Sequence, residues 1–324
     1  MKRARNLFDD ILAWDNLQKS LWSAAKGKRD RAEVVGFLHD VQQNLLILQQ
    51  TLRDQTFDFS RYRQFRIRDP KPRMITAPCF ESRIAHHAII SVLDPFFERF
   101  AIDHSYACRI GKGRNAAILA AQRAAKQSRW YVKLDIRSCF DSIQHEILLK
   151  LLCKRFKDPE LLKMLSRVVQ SFAESVGCGL PIGALTSQHF ANFYLGWMDH
   201  HIVHELRPKS YVRYMDDFVM WDSDRSRLLH FREEVAGYLN SKLKLSFKRN
   251  SDPQLTSNGM NYLGCQVFPF ALQLNRRNRR RISRRIRALT ARIETNLTTS
   301  TIDQQRLTSA FQFSTQPCTV PLRW

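Results

Sequence analysis

Several features that would place this chain in a common class are missing. Its seven cysteines (Cys79, Cys108, Cys139, Cys153, Cys178, Cys265, Cys318) are scattered, odd in number and never spaced C-x-x-C. Neither a disulfide framework nor a zinc knuckle is expected, and a reducing cytoplasm fits best. No run reaches the roughly 18 apolar residues of a membrane span. The basic start MKRARNLFDDILAW meets Asp9 and Asp10 before any apolar stretch forms, so it does not read as a signal peptide. No internal repeat and no low-complexity linker occurs. Acids are also scarce, 30 Asp+Glu against 52 Lys+Arg for a net charge of +22. That imbalance predicts a polyanionic partner, nucleic acid before a membrane surface.

What is present is the composition of a folded protein. With 44% hydrophobic residues, 21 Phe and 6 Trp over 324 positions, the chain can bury a substantial core in one to three domains and is far from a disordered profile. The apolar positions Val34, Leu38, Val41, Leu45, Leu48 and Leu52 follow a 4-3-4-3-4 spacing that predicts one helical face. FRIRDPKPRMITAP alternates and is broken by prolines, which predicts short strands or a hairpin, and 81–100 reads helical. In YVKLDI, Val132, Leu134 and Ile136 share one strand face while Lys133 and Asp135 share the other. In SYVRYMDDFVMW two β-prone runs flank an acidic turn, so a hairpin with carboxylates at its tip is expected. From Arg276 to Arg292 there are nine arginines and no acid, around the stripe Ile282, Ile286, Leu289 and Ile293. That pattern predicts an amphipathic helix that packs on one side and offers guanidinium groups to phosphates on the other.

The acids at 135, 216 and 217 matter because they cluster in a basic chain. Nucleotidyl transfer by two metals needs divalent ions about 3.5–4 Å apart, held by carboxylates. Asp135 on a strand face with Asp216 and Asp217 on a hairpin could supply three, if the strands are neighbours in one sheet.

Six ordered blocks then resemble a reverse transcriptase. LDIRSCFDSI is similar to the family's first catalytic strand and RYMDDFV to its second. KPRMI resembles the strand whose cations hold the incoming triphosphate, and SYACRIGKGRNAAI the fingers segment that follows. LPIGALTSQHFANFYL resembles the helix-forming motif under the template base pair, and YLGCQVFP the primer grip. The resemblance implies an α+β, right-hand polymerase: a helical extension over 1–60, fingers over 61–130 with part of 145–178, a palm with an antiparallel sheet over 131–268 and a short, basic helical thumb over 269–324.

It implies roles as well. Asp135 and Asp216 would ligate two Mg2+ ions, with Mn2+ as a substitute, Asp217 would support them, and Ile136 would lend its carbonyl. Lys71 and Arg73 would clamp the dNTP phosphates. Phe140 would be the ring that excludes a ribose 2′-hydroxyl, and Ile182, Gly183 and Gln188 would line the nascent base pair. Arg114, Tyr214, Met215, Gly264, Arg280 and Arg284 would meet template or primer. Lys248 is a candidate general acid for the departing pyrophosphate.

One departure from most bacterial relatives is informative. They read P-Q-G and then S-P where this chain has PIGALTSQ, with Ile182 and Gln188 substituted. That form resembles the reverse transcriptases of diversity-generating retroelements, as do RNLFDDILAWDNL and the lack of sequence for a maturase or endonuclease region. The implied activity is error-prone copying of a template-repeat RNA into cDNA with misincorporation opposite adenine. Its expected partners are template RNA, cDNA, dNTPs and a small basic, oligomeric accessory protein, in the cytoplasm of a bacterial host or phage-infected cell and with no membrane. A group II intron, retron or phage-defence reverse transcriptase is the alternative, and an inactive nucleic-acid-binding scaffold a minor one.

Overall fold

The computed structural model describes residues 6–68, 72–249 and 251–295. In chain order the elements are α1 (Leu7–Leu12), α2 (Trp14–Ala25), α3 (Ala32–His39), α4 (Val41–Arg53), β1 (Tyr62–Ile67), β2 (Arg73–Pro78), α5 (Phe80–Phe100), α6 (Arg114–Gln127), β3 (Trp130–Asp135), α7 (Cys139–Ser142), α8 (His145–Arg155), α9 (Pro159–Gln170) and α10 (Leu185–His201). After them come β4 (Ser210–Tyr214), β5 (Asp217–Asp222), α11 (Arg225–Tyr238), β6 (Gln254–Leu255), β7 (Met260–Tyr262), β8 (Cys265–Val267), β9 (Leu272–Leu274) and α12 (Arg276–Thr295). No described helix is long and apolar enough to cross a membrane. The chain forms two compact units. One holds 135–202, 234–249 and the described residues before 104, and the other holds 104–134, 203–233 and the described residues after 249.

The first unit is mainly helical. The stripe from Val34 to Leu52 is two helices rather than one. Asp40 leaves helical geometry at φ −136°, ψ 74° and its carboxylate accepts the Gln43 N–H at 3.2 Å. An Asp offers the next helix a better start than it offers the previous one a continuation, so the 3.6 periodicity survives while the helix does not. At the start of α9, Asp158 accepts the Leu161 N–H at 3.2 Å, and Pro159 follows at a position where its missing donor costs nothing. The same buried carboxylate accepts the Phe8 N–H at 2.9 Å and so ties α1 to α9. β1 and β2 form the expected hairpin, with Ile67 opposite Arg73. Phe97 and Phe100 of α5 pack on Phe193 of α10, with ring centroids 5.2 and 4.9 Å apart.

In the second unit a four-stranded sheet has the order β4-β5-β3-β6, and a three-stranded antiparallel sheet the order β7-β8-β9. Tyr131, Val212, Val219, Trp221, Tyr262 and Val267 form its core together with Ala117, Ala121 and Ala124 of α6. Alanines at those positions let the helix backbone come close to the sheet, and alanine is also the strongest helix former.

A buried histidine couples α5 to α10. His86 Nδ1 lies 3.0 Å from Thr186 Oγ1, and burial pushes its pKa down from 6.5 to about 3. The folded protein therefore keeps His86 neutral at pH values where the unfolded chain would protonate it. Its contribution is complete above pH 6.5 and is lost as pH falls from 6.5 toward about 3, at up to about 1.4 kcal/mol per pH unit. Urea midpoints measured from neutral to acid pH should fall for the wild type and fall less steeply for His86→Gln. Equal slopes would refute this assignment.

Candidate functional site

The β4–β5 hairpin is built around a backbone conformation that its sequence does not favour. Tyr214 pairs with Asp217, which leaves Met215 and Asp216 as the two turn residues. Met215 has φ 55°, in the region that glycine adopts without penalty. Arg213, only 1% exposed, offsets that cost: its Nη1 donates to the Met215 carbonyl at 2.9 Å. The Arg213 backbone is itself fixed, because its N–H donates to His104 O at 2.9 Å and its carbonyl accepts the Tyr106 N–H at 3.0 Å. Asp216 thus sits at the tip of a turn held from beneath. Asp217 opens β5, and its Oδ2 lies 3.1 Å from Lys133 Nζ of the neighbouring strand β3. Burial, reinforced by the Asp217 charge, pushes the Tyr262 phenol well up, while Arg213 works against that shift. Burial also raises Tyr214.

Asp135 is the last residue of β3. The chain over 246–248 runs beside the continuation of that strand: Arg137 N–H donates to Ser246 O at 2.9 Å, Ile136 bridges Phe247, and Lys248 N–H donates to Asp135 O at 2.8 Å. Lys248 Nζ consequently lies 4.0 Å from Asp135 Oδ1. The candidate general acid and the first catalytic acid predicted from sequence are neighbours.

Phe140 is half-buried in α7, and its carbonyl accepts the Leu180 N–H at 2.9 Å. That bond joins the α7 segment to the LPIG segment. Ile182 O accepts the Thr76 N–H at 2.8 Å, so LPIG lies along β2. Gly183 has φ 140°, and a Cβ there would come within 2.9 Å of Thr76 O, which explains the glycine. Arg73 is exposed at the start of β2 and Gln188 is exposed on α10. Lys71 lies outside the described residues.

A second turn repeats the device found at Met215. Between β7 and β8, Leu263 has φ 47° and Gly264 φ 83°, the pair of positive values that a two-residue type I′ turn needs. Arg114 Nε donates to Leu263 O at 2.8 Å. Gly264 O accepts from Asn278 Nδ2 at 3.0 Å, and a Cβ on Gly264 would meet that amide nitrogen. Arg114, expected to meet nucleic acid, is thus at least partly committed to the turn. At the start of α12, Asn275 Oδ1 accepts the Asn278 N–H at 2.9 Å. Ile282 is buried, whereas Arg280 and Arg284 are exposed, as the amphipathic pattern requires.

Sequence reasoning placed Lys133 on the face of Asp135 but gave it no role, and it missed Arg213. A cation amid the apolar positions of a strand that ends in acids was the available signal in both YVKLD and YVRYMDD. Among the described residues, no group of three or more His, Cys, Asp or Glu is arranged to hold a metal ion. The donors that Asp135, Asp216 and Asp217 present are carboxylate oxygens, the hard type that suits Mg2+.

The fold is shared with solved polymerases. Telomerase from Candida albicans, in complex with a fragment of telomeric RNA, matches with a TM-score of 0.51 at 12% identity over 69% of this chain and 48% of that one. Apo telomerase from Candida tropicalis gives a TM-score of 0.51 at 12% identity, over 67% and 49%. These likenesses establish the α+β, right-hand polymerase fold. The family is fixed by sequence: residues 67–267, more than half of the chain, match the reverse transcriptase (RNA-dependent DNA polymerase) family, and the chain belongs to it. The group II intron-encoded protein LtrA of Lactococcus lactis subsp. cremoris is 24% identical over 259 residues, 75% of this chain and 42% of that protein. Protein YkfC of Escherichia coli is 24% identical over 244 residues, 61% and 64% respectively. The chain thus spans about two fifths of the length of LtrA. Reverse transcriptases as a family use divalent metal ions.

Arg213→Met should cost the protein about 2 kcal/mol, the value of a hydrogen bond with a charged donor, measured by urea unfolding. Arg213→Lys should recover part of it. A loss below about 0.5 kcal/mol would show that the Met215 turn does not depend on the guanidinium.

Proposed function

We propose that this chain is an RNA-directed DNA polymerase whose reaction joins a primer 3′-hydroxyl to the α-phosphate of a dNTP and releases pyrophosphate. One observation carries the reading: β3, ending in Asp135, lies beside β5, which opens with Asp217 just after the Asp216 turn, in a chain of the reverse transcriptase family. Asp135 and Asp216 would hold two divalent ions, with Asp217 in support and the Ile136 carbonyl as a further ligand. When bound, Mg2+ or Mn2+ supplies the charge that stabilises the attacking and leaving oxygens. Lys71 and Arg73 bind the triphosphate, and Phe140 excludes the 2′-hydroxyl. Lys248, beside Asp135, holds the proton that the departing pyrophosphate takes up. Tyr214, Met215, Arg280 and Arg284 meet template or primer, while Arg114 and Gly264 act through the turn they shape.

Primer extension on an RNA template with dNTPs and Mg2+ tests the assignment. Wild type should extend, and Asp216→Asn should lose at least a hundredfold in rate, since one metal-holding carboxylate is gone. Similar rates in the two proteins would refute it.

The biological setting we infer is a diversity-generating retroelement, with a template-repeat RNA, adenine-directed errors and a small basic accessory protein, in a bacterial or phage-infected cytoplasm. PIGALTSQ supports this reading. Ile182 cannot make the hydrogen bond that glutamine could make beside the nascent base pair, and a contact of ~1 kcal/mol is about a fivefold change in selectivity. The similarity to group II intron-encoded relatives favours a second reading, an intron-type enzyme. Two near-identical repeats beside the gene, differing mainly at adenines, would decide for the first. Under that reading Ile182→Gln should lower misincorporation opposite adenine severalfold in sequenced cDNA, and an unchanged error spectrum would remove Ile182 from the explanation.

A further inference from the structure

A cavity of about 290 Å³ lies in the second unit, where α6 packs on β4. It exists because Ala120 and Ala124, one helical turn apart, are too small to fill the space facing Tyr211 and Val212. Its lining includes His104, Arg123 and Lys209 and no Asp or Glu. The Arg123 side chain is exposed and has no hydrogen-bond or ion-pair partner among the described residues. Among the described residues, Lys209 reaches only the Ser223 hydroxyl, at 3.4 Å. Cations left without a counter-charge at the mouth of a hollow repel one another until an anion binds.

We propose that this cavity receives one nucleotide of single-stranded RNA, with the base or sugar in the alanine-floored hollow and the flanking phosphates on Arg123 and Lys209. The size is at the lower end of the roughly 300–1,000 Å³ typical of ligand cavities, enough for one unit of a strand. Arginine and lysine in a lining that holds no Asp or Glu are the chemistry that phosphate contacts use. The choice of RNA rests on the reverse transcriptase reading. β4 begins in the cavity wall at Ser210 and ends at Tyr214 beside the acidic turn, and the His104–Tyr106 segment of the same wall is hydrogen-bonded to Arg213. A strand held here is therefore anchored to the element that carries Asp216.

The test uses the full chain, single-stranded RNA substituted with 4-thiouridine, photocrosslinking and peptide mapping, alongside anisotropy titrations at several salt concentrations. Crosslinks should fall on peptides holding Tyr106 or Tyr211. In Arg123→Gln/Lys209→Gln they should drop at least fivefold, and the slope of log affinity against log salt should shrink by about 1.4, two phosphate contacts at about 0.7 each. Ala124→Leu, which fills the hollow and keeps the charge, should lose the crosslinks as well, while Lys19→Gln on α2 combined with Lys26→Gln just after it should keep them. Melting curves confirm that each variant is folded, and the rim pair, being exposed, does not depend on the core. Crosslinks that miss these peptides, a rim variant that matches the α2 control, or displacement of the RNA by millimolar adenosine monophosphate would each overturn the proposal, the last by making the ligand a free nucleotide. Asp216→Asn should abolish primer extension and keep the crosslinks, so failure of this site and failure of the polymerase reading give different results.

Discussion

The hairpin that displays Asp216 depends on a hydrogen bond from the buried Arg213 side chain to the carbonyl of Met215. A non-glycine residue at φ 55° costs on the order of 1 kcal/mol or more, and it persists only where its surroundings over-determine it. Here the guanidinium does so, and the main chain of Arg213 is clamped in turn by His104 and Tyr106. A glycine at 215 would have relaxed the backbone and given up the side chain. The chain keeps methionine and holds the turn with a buried cation instead, which fixes the backbone that carries Asp216. Arg114 does the same for Leu263, so each of these two hairpins has an arginine reaching a turn carbonyl.

Rigidity of this kind matters for group transfer. Rate enhancement by positioning requires reacting groups held to within a fraction of an ångström. A loop that carried two acids at solvent-exposed, flexible positions would repel itself into other conformations. With Asp217 paired to Lys133 and Asp216 set by a locked turn, the two neighbouring carboxylates are separated by role: one faces a cation of the sheet, and the other is presented at the tip.

How much of this was legible in the sequence follows from which interactions are local. The hairpins at 62–78 and 210–222 and the strand over 130–135 read directly, because alternation and turn chemistry are local signals. The helix over 80–100 was legible despite Pro95, since its apolar content outweighs one lost hydrogen bond. The break at Asp40 was not, because a capping aspartate changes the backbone without disturbing the apolar period. Gly183 and Gly264 were legible as motif members but not as packing constraints, since their neighbours Thr76 and Asn278 are fixed only by the tertiary fold. The roles of Lys133 and Arg213 were not legible for a related reason: an excess of 22 positive charges makes any single cation look like surface.

That excess divides by function once partners are known. Arg213 and Arg114 are turned inward to carbonyls, and Lys133 faces an acid that sits beside the turn. Their charge stabilises the shape of the site and is already engaged within the protein. Arg280 and Arg284 on α12, with Arg123 on α6, face outward. Only cations of the second kind release counterions when a nucleic acid binds, so only they should govern salt dependence. Net charge alone therefore overstates the grip on a polyanion, because part of it is the internal scaffold that presents the acids.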